Sequence, residues 1–238
     1  MPGSLKTEAV VLRSMRYGEA DRILHLYTPD RGRVSVIAKG VRKTRSRFGG
    51  RLEPFFRLDL VLYEGRSDLL TVTSVETLAA HPRLREDARA LDGAARACEA
   101  VARVFDDGDP HRGVYHLLAN ELALLNGDVA RAGRSNALAF RLKLLLAAGF
   151  APQLAACAGC GEREHLVGFS GAAGGVVCSA CEASAFALGQ DAHDFLVGAL
   201  GSSLAETPEA PPAALAQAER AILATLEHHA HLQLRPVG

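Results

Sequence analysis

The chain has 238 residues, of which 48% are hydrophobic and 23% charged. That is enough to bury a core without disulfides, and the composition excludes a disordered, collagen-like or disulfide-stapled chain. The 27 basic and 27 acidic side chains balance only in sum: residues 1–80 carry 14 Lys and Arg against 9 Asp and Glu, and the remainder carries 13 against 18. This predicts a polyanion-facing first part and a second part given more to protein contacts.

From residue 6 to residue 79 the apolar period is two. Val10, Leu12 and Ser14 alternate with Ala9, Val11 and Arg13, and residues 23–27 form a second short run. Pro29-Asp30-Arg31-Gly32 is a turn sequence, followed by a third strand at 34–39. Leu58, Leu60 and Leu62 alternate with Arg57, Asp59, Val61 and Tyr63 in a fourth, and Glu64-Gly65-Arg66-Ser67 turns into a fifth at 69–75. Five short strands with no room for a long helix predict a small antiparallel barrel, of either the oligonucleotide-binding (OB) or the SH3-like kind.

Between the third and fourth strands lie Lys39, Arg42, Lys43, Arg45, Arg47 and Arg51, six cations in thirteen residues without an acid. Gly40, Gly49 and Gly50 bracket the run, which reads as a flexible loop, and Arg31 and Arg33 sit in the turn before it. Uncompensated positive charge on a barrel loop suits a phosphate backbone; the alternative is a solvated loop. Phe48, among polar neighbours, is the candidate for stacking on a base. Phe55 and Phe56 read as barrel core.

The pattern changes at His81-Pro82, after which helices are predicted at 83–105, 111–126, 135–148, 190–200 and 213–234. Asp109-Pro110 offers a cap with proline at the first turn of the second, and Gly149 a stop for the third. Leu138, Leu142 and Leu145 share one face of that third helix, with Ala139 and Leu146 beside it. No apolar run reaches the ~20 residues of a membrane span, and the opening Met-Pro-Gly-Ser-Leu-Lys has no apolar signal core, so a cytoplasmic protein without a membrane partner is expected.

Five cysteines occur. Cys157-x2-Cys160 and Cys178-x2-Cys181 have the spacing of a zinc ribbon, in which two tight turns bring four thiolates to one tetrahedral ion. Ala158, Gly159 and Gly161 are small enough for such a turn. A closed shell of four sulfurs leaves no position for water, so one structural zinc is predicted. His165 reads as a surface residue, Cys98 as a buried hydrophobe, and His228, His229 and His231 as a solvated helix end. Phosphate-loop, metalloprotease, deaminase and nucleophile-elbow motifs are absent, so no enzyme activity is expected.

Four strings together are distinctive: Thr7-Glu8-Ala9-Val10-Val11-Leu12, Tyr17-Gly18-Glu19-Ala20-Asp21-Arg22-Ile23-Leu24, Tyr27-Thr28-Pro29-Asp30-Arg31-Gly32 and Lys39-Gly40-Val41-Arg42. They resemble the bacterial RecO family, recombination mediators of the RecF pathway, and the resemblance runs through the helical part and the cysteine insert. It implies an α+β chain with a five-stranded OB barrel over 1–80, an all-helical domain over 81–151 and 183–238, and a zinc element inserted at 152–182. It implies binding of single- and double-stranded DNA, annealing of complementary strands and partnership with RecR. With RecR such proteins help RecA onto single strands coated by single-strand binding protein, whose acidic tail docks on the helical domain; a nucleoid-associated cytoplasmic location follows. The competing reading is an RNA-directed protein of translation or ribosome assembly built from the same barrel and ribbon, and a third is a zinc-dependent nucleic-acid enzyme.

Overall fold

A computed structural model describes residues 3–43, 46, 48–65, 69–230 and 234–237. The chain divides into two compact units, Met1–Val129 and Ala130–Gly238.

In the first unit β1 (Gly3–Tyr17), β2 (Asp21–Thr28), β3 (Gly32–Ala38), β4 (Arg57–Glu64) and β5 (Leu70–Ala79) close into a barrel in the order β1-β2-β3-β5-β4. Every pairing is antiparallel except β3 with β5, which run parallel through Val36↔Leu70 and Ile37↔Thr71. That closure is of the OB kind and decides between the two barrels the periodicity left open. Ala9, Val11, Leu24, Leu26, Val36, Ala38, Leu58, Leu60, Leu62 and Val72 fill the interior. They are the inward half of the alternation, as a closed sheet requires.

The long β1 serves two neighbours. Residues up to Val10 pair with β4, residues from Val10 onward pair with β2, and the register shifts between Val11 and Arg13. The strand starts ahead of residue 6 because Gly3, Ser4 and Leu5 find partners in Glu64, Tyr63 and Leu62.

Two helices complete this unit, α1 (Ala88–Val104) and α2 (Arg112–Gly127), so the change of pattern at His81 is a change of secondary structure within one compact unit. The helix predicted over 83–105 is divided. Pro82–Arg85 forms a 3-10 turn, and the Asp87 carboxylate then caps α1 by accepting from the Arg89 and Ala90 amides at 2.8 and 3.1 Å. The second helix has His111, and not Asp109, at its N-cap position, and the His111 side chain makes no capping bond. Asp109 packs instead against Gly32, whose φ is +61° and where a Cβ would come within 2.0 Å of the Asp109 carbonyl oxygen.

Tyr115 of α2 reaches back to the barrel. Its hydroxyl donates to Glu8 at 2.6 Å and accepts from Arg57 Nε at 3.0 Å, while Arg57 also donates to Glu8 at 2.9 Å. Tyr115→Phe is expected to lower the stability of the protein by about 1–2 kcal/mol, measured by urea unfolding. The hydrogen bond from Tyr115, then that from Arg57, holds the Glu8 carboxyl below its ordinary value. Its contribution is therefore present above the ordinary carboxylate range and fades as pH falls through the lowered value. The stability difference between the unaltered protein and Glu8→Gln should accordingly shrink in acid, and modestly, because Glu8 and Arg57 are part-exposed.

In the second unit α3 (Arg134–Ala147), α4 (Gln190–Gly201) and α5 (Pro212–Thr225) pack together. Gly149 ends α3 as expected, with φ +81°: its amide donates to the Leu146 carbonyl and that of Phe150 to Leu145, the paired bonds of a left-handed helix stop. Leu146 departs from the predicted core stripe and is 52% exposed, whereas Leu138, Ala139, Leu142 and Leu145 are buried. The last helix is shorter than 213–234. After Thr225, whose hydroxyl donates to the Ala221 carbonyl, the chain makes a single π turn over Leu226–Ala230. Inside this unit the buried Glu219 lies between Arg134 at 2.6 Å and Arg141 at 3.7 Å, and also accepts from the Val237 amide. No described helix is long and apolar enough to cross a membrane.

Candidate functional site

Periodicity alone gave no strands for the cysteine insert. It contains a small sheet in the order β7-β6-β8, from β6 (Leu166–Ser170), β7 (Gly175–Cys178) and β8 (Phe186–Ala187). The sheet therefore continues beyond residue 182. Cys178 ends β7, and the Cys181 amide donates to the Cys178 carbonyl at 2.9 Å, closing one knuckle. The other is closed by the Gly161 amide on the Cys157 carbonyl at 2.8 Å, with Gly161 at φ +82°. A Cβ on Gly159 would lie 3.2 Å from Cys181 Sγ, so the absent side chain lets the two knuckles approach.

The four sulfurs of Cys157, Cys160, Cys178 and Cys181 all lie within 4.8 Å of one another, and Cys160 Sγ is 3.7 Å from Cys178 Sγ. A tetrahedral ion with bonds of about 2.3 Å needs sulfurs about 3.8 Å apart, so the cluster fits one metal ion. Its electrostatics agree. Amides led by that of Cys178 pull the Cys157 thiol down to about 6, whereas hydrogen bonding from Cys160, Cys157 and Cys178 pushes Cys181 up to about 12. Four thiolates this close ionise together only around a cation. Cys157 and Cys178 are buried, Cys181 is half-buried and Cys160 exposed. Among the described residues no other group of three or more His, Cys, Asp or Glu is placed to bind metal. Cys98 is buried in the first unit, its thiol pushed up to about 12 by desolvation, and His165 and His228 are exposed. The His229 side chain and His231 lie outside the described residues.

The basic loop connects β3 to β4. Its start is pinned to the β1–β2 turn: the Gly40 amide donates to Asp21 at 2.8 Å and the Arg42 amide to the Ala20 carbonyl at 2.9 Å. Lys39, Arg42, Lys43 and Arg51 are exposed, and within the described residues their side chains have no carboxylate partner. Arg45 and Arg47 lie outside the described residues. The two earlier arginines are differently placed. Arg33 donates to Asp107 at 2.5 Å and to the Ala102 carbonyl, and Arg31 faces Glu64 at 3.7 Å. Arg33 thus holds the α1–α2 connection against the barrel and has its charge already matched.

Phe48 is 1% exposed and belongs to the barrel core together with Leu52. This corrects the expectation that it stacks on a base. The Phe48 amide donates to the Ser46 hydroxyl at 3.2 Å, and the ring packs with the barrel's core side chains. Phe55 is buried and Phe56 packs on the core, as expected, with the Arg85 guanidinium 5.1 Å from the Phe56 ring centroid. Two cations that sequence reasoning passed over, Arg13 and Arg16 on β1, are exposed and, within the described residues, without a carboxylate partner. They were legible only as members of an alternating strand.

Comparison with known proteins adds to this geometry. A family model described as recombination protein O N terminal matches residues 1–81, and one described as recombination protein O C terminal matches residues 85–236. Similar relatives include the DNA repair protein RecO of Rubrobacter xylanophilus, 44% identical over 182 residues, covering 76% of this chain and 72% of the relative. The RecO of Anaeromyxobacter sp. strain K is 38% identical over 235 residues, covering 94% and 91%. The likeness thus spans barrel, helices and cysteine element alike, and the chain belongs to the RecO family of DNA repair and recombination mediators.

Proposed function

We propose that this chain is a non-enzymatic DNA-binding mediator that holds single- and double-stranded DNA on the barrel's basic loop and anneals complementary strands. With RecR it helps RecA load onto single strands coated by single-strand binding protein, whose acidic tail docks on the helical part. The observation that carries the reading is the unmatched charge at one end of the barrel: Lys39, Arg42, Lys43 and Arg51 keep their cations free of carboxylates among the described residues, while Arg31 and Arg33 do not. Arg45 and Arg47 extend that run in sequence. Free cations exchange condensed counterions for phosphate contacts, which drives binding without regard to sequence. Annealing then needs no nucleotide, because duplex stacking supplies about 1.4 kcal/mol per step. The four-cysteine cluster would hold one zinc ion as a structural cross-link, supplying folding energy to the insert and no catalysis.

The test is annealing of complementary strands coated with single-strand binding protein, in the absence of any nucleotide. Acceleration by this chain is expected; no acceleration at low salt, or a preference for RNA of the same sequence in competition, would refute the reading.

A further inference from the structure

The four sulfurs of the cysteine insert are alike in chemistry and unlike in access. Cys157 and Cys178 are 3% and 4% exposed, Cys181 is half-buried, and Cys160 is exposed. The neighbours of each explain the difference. Cys160 stands between Gly159 and Gly161, so no adjacent side chain can fold over its sulfur. The next side chain with reach, Glu162, is turned back on itself and accepts from the Arg163 and Glu164 amides at 2.7 and 3.1 Å. Cys178 ends β7 behind the buried Val176 and Val177. Its sulfur nevertheless lies 3.7 Å from that of Cys160, across the gap between the two knuckles. The Cys157 sulfur is held differently, by the amides of Cys178, Cys160 and Gly159.

We propose that Cys160 is a peroxide-sensitive oxidation site and that Cys178 captures it in a disulfide joining the two knuckles. This rests on the zinc assignment above and adds a condition under which the metal is lost. A cysteine is oxidised according to its thiolate character and exposure, and reversibly where a second cysteine stands ready to resolve the product; Cys160 has both the exposure and the partner. Its thiolate attacks one oxygen of hydrogen peroxide, the O–O bond breaks, a sulfenic acid forms, and the hydroxide released takes up a proton. The Cys178 thiolate then attacks the sulfenic sulfur, the S–O bond breaks and a second hydroxide leaves. Two thiolates have given up two electrons and the peroxide has accepted two. Cys157 is the poorer resolving group, because N–H···S bonds draw charge from its sulfur. Disulfide sulfurs are no longer anionic donors, so the shell keeps two thiolates of four and cannot retain a divalent cation. Two equivalents of a small thiol return the electrons by exchange. The change reaches α5, on which the insert rests. Gly171, just after β6, would set a Cβ 2.8 Å from the Ala224 carbonyl oxygen, and the Arg220 guanidinium is 4.0 Å from the Phe186 ring centroid.

The test uses the full-length, zinc-loaded protein, hydrogen peroxide and a chromophoric zinc chelator. Release of the zinc with loss of two thiols is expected, and peptide mapping should find Cys160 joined to Cys178. Dithiothreitol with added zinc should restore the starting protein. Dimedone present during a brief exposure should mark Cys160 and leave Cys157, Cys178 and Cys181 unmarked. Cys160→His keeps four ligands in a set that zinc accepts, and its metal should be released roughly tenfold more slowly or less. A first mark on another of the four, a bridge within one knuckle, zinc retained under peroxide, or an equal rate in Cys160→His would overturn the proposal. Should Cys160→His fail to hold zinc, the dimedone mark and the bridge decide alone. If the unaltered protein is purified without zinc, the zinc assignment falls by itself. The oxidation site then stands or falls on whether peroxide still joins Cys160 to Cys178.

Discussion

Cys160→Ser is expected to abolish binding of the one zinc ion predicted for this chain and to lower its melting midpoint by on the order of 10 °C. The insert gives the reason. Its sheet consists of strands of 5, 4 and 2 residues, and among the described residues the cluster around the thiols is small, Cys157, Val177 and Cys178 with Leu166, Cys181 and Ala185 against them, while Phe169 and Val176 are buried outside it. So few apolar side chains cannot offset the conformational entropy of ordering the segment. A metal–thiolate cross-link can, because binding to the folded shape alone is folding energy. Serine in place of Cys160 breaks the tetrahedron while removing almost no packing, since that side chain is exposed. Elemental analysis should return one equivalent of zinc for the unaltered protein and little for the variant. Hydrogen exchange should quicken in residues 152–187 and remain slow in the barrel. A purified, metal-free protein of undiminished stability would refute the assignment.

Reversing Lys39, Arg42 and Lys43 together to glutamate should make the dependence of log affinity on log salt for single strands shallower by about 2, at ~0.7 for each phosphate no longer neutralised. At low salt this is the largest effect on DNA binding expected of any substitution in the barrel. The loss should be equal across sequences, because phosphate contacts carry no base information. All three side chains are exposed and make no described ion pair, so the fold should survive the reversal. Arg33→Glu would instead break the contact with Asp107 and the α1–α2 connection, and its effect on DNA would be confounded by loss of structure. An unchanged affinity and slope in the triple variant would place the DNA elsewhere.

The barrel was legible because its code is short-range: each inward Leu or Val is two residues from the next, and the alternation survives being read one strand at a time. The cysteine pairs were legible for a similar reason, the geometry of a knuckle lying within four residues. Features set by distant partners were not. Phe48 has polar neighbours in sequence and looks exposed, yet its environment is the barrel interior, supplied by strands before and after it. Asp109 looks like a helix cap in sequence, but its backbone packs against Gly32 and the N-cap position falls to His111, whose side chain makes no capping bond. Met15, Ile23 and Ile37 likewise come side by side only after three strands are in register.

The divided allegiance of β1 bears on how the barrel forms during synthesis. Its second half can zip with β2, and β2 with β3, as soon as these neighbours leave the ribosome, since both connections are short turns. Its first half has no partner until residues 57–64 are made, and the parallel β3–β5 seam waits for residues 70–71. At ~5–20 residues per second, the roughly 30–40 residues between the meander and the closing strand take about 2–8 s. For that time the nascent chain carries an unpaired half-strand and an open sheet edge, the kind of segment that pairs with the wrong neighbour. The basic loop is the last part to emerge before β4, and its charge sits beside that waiting edge during the delay, where repulsion between chains opposes premature pairing.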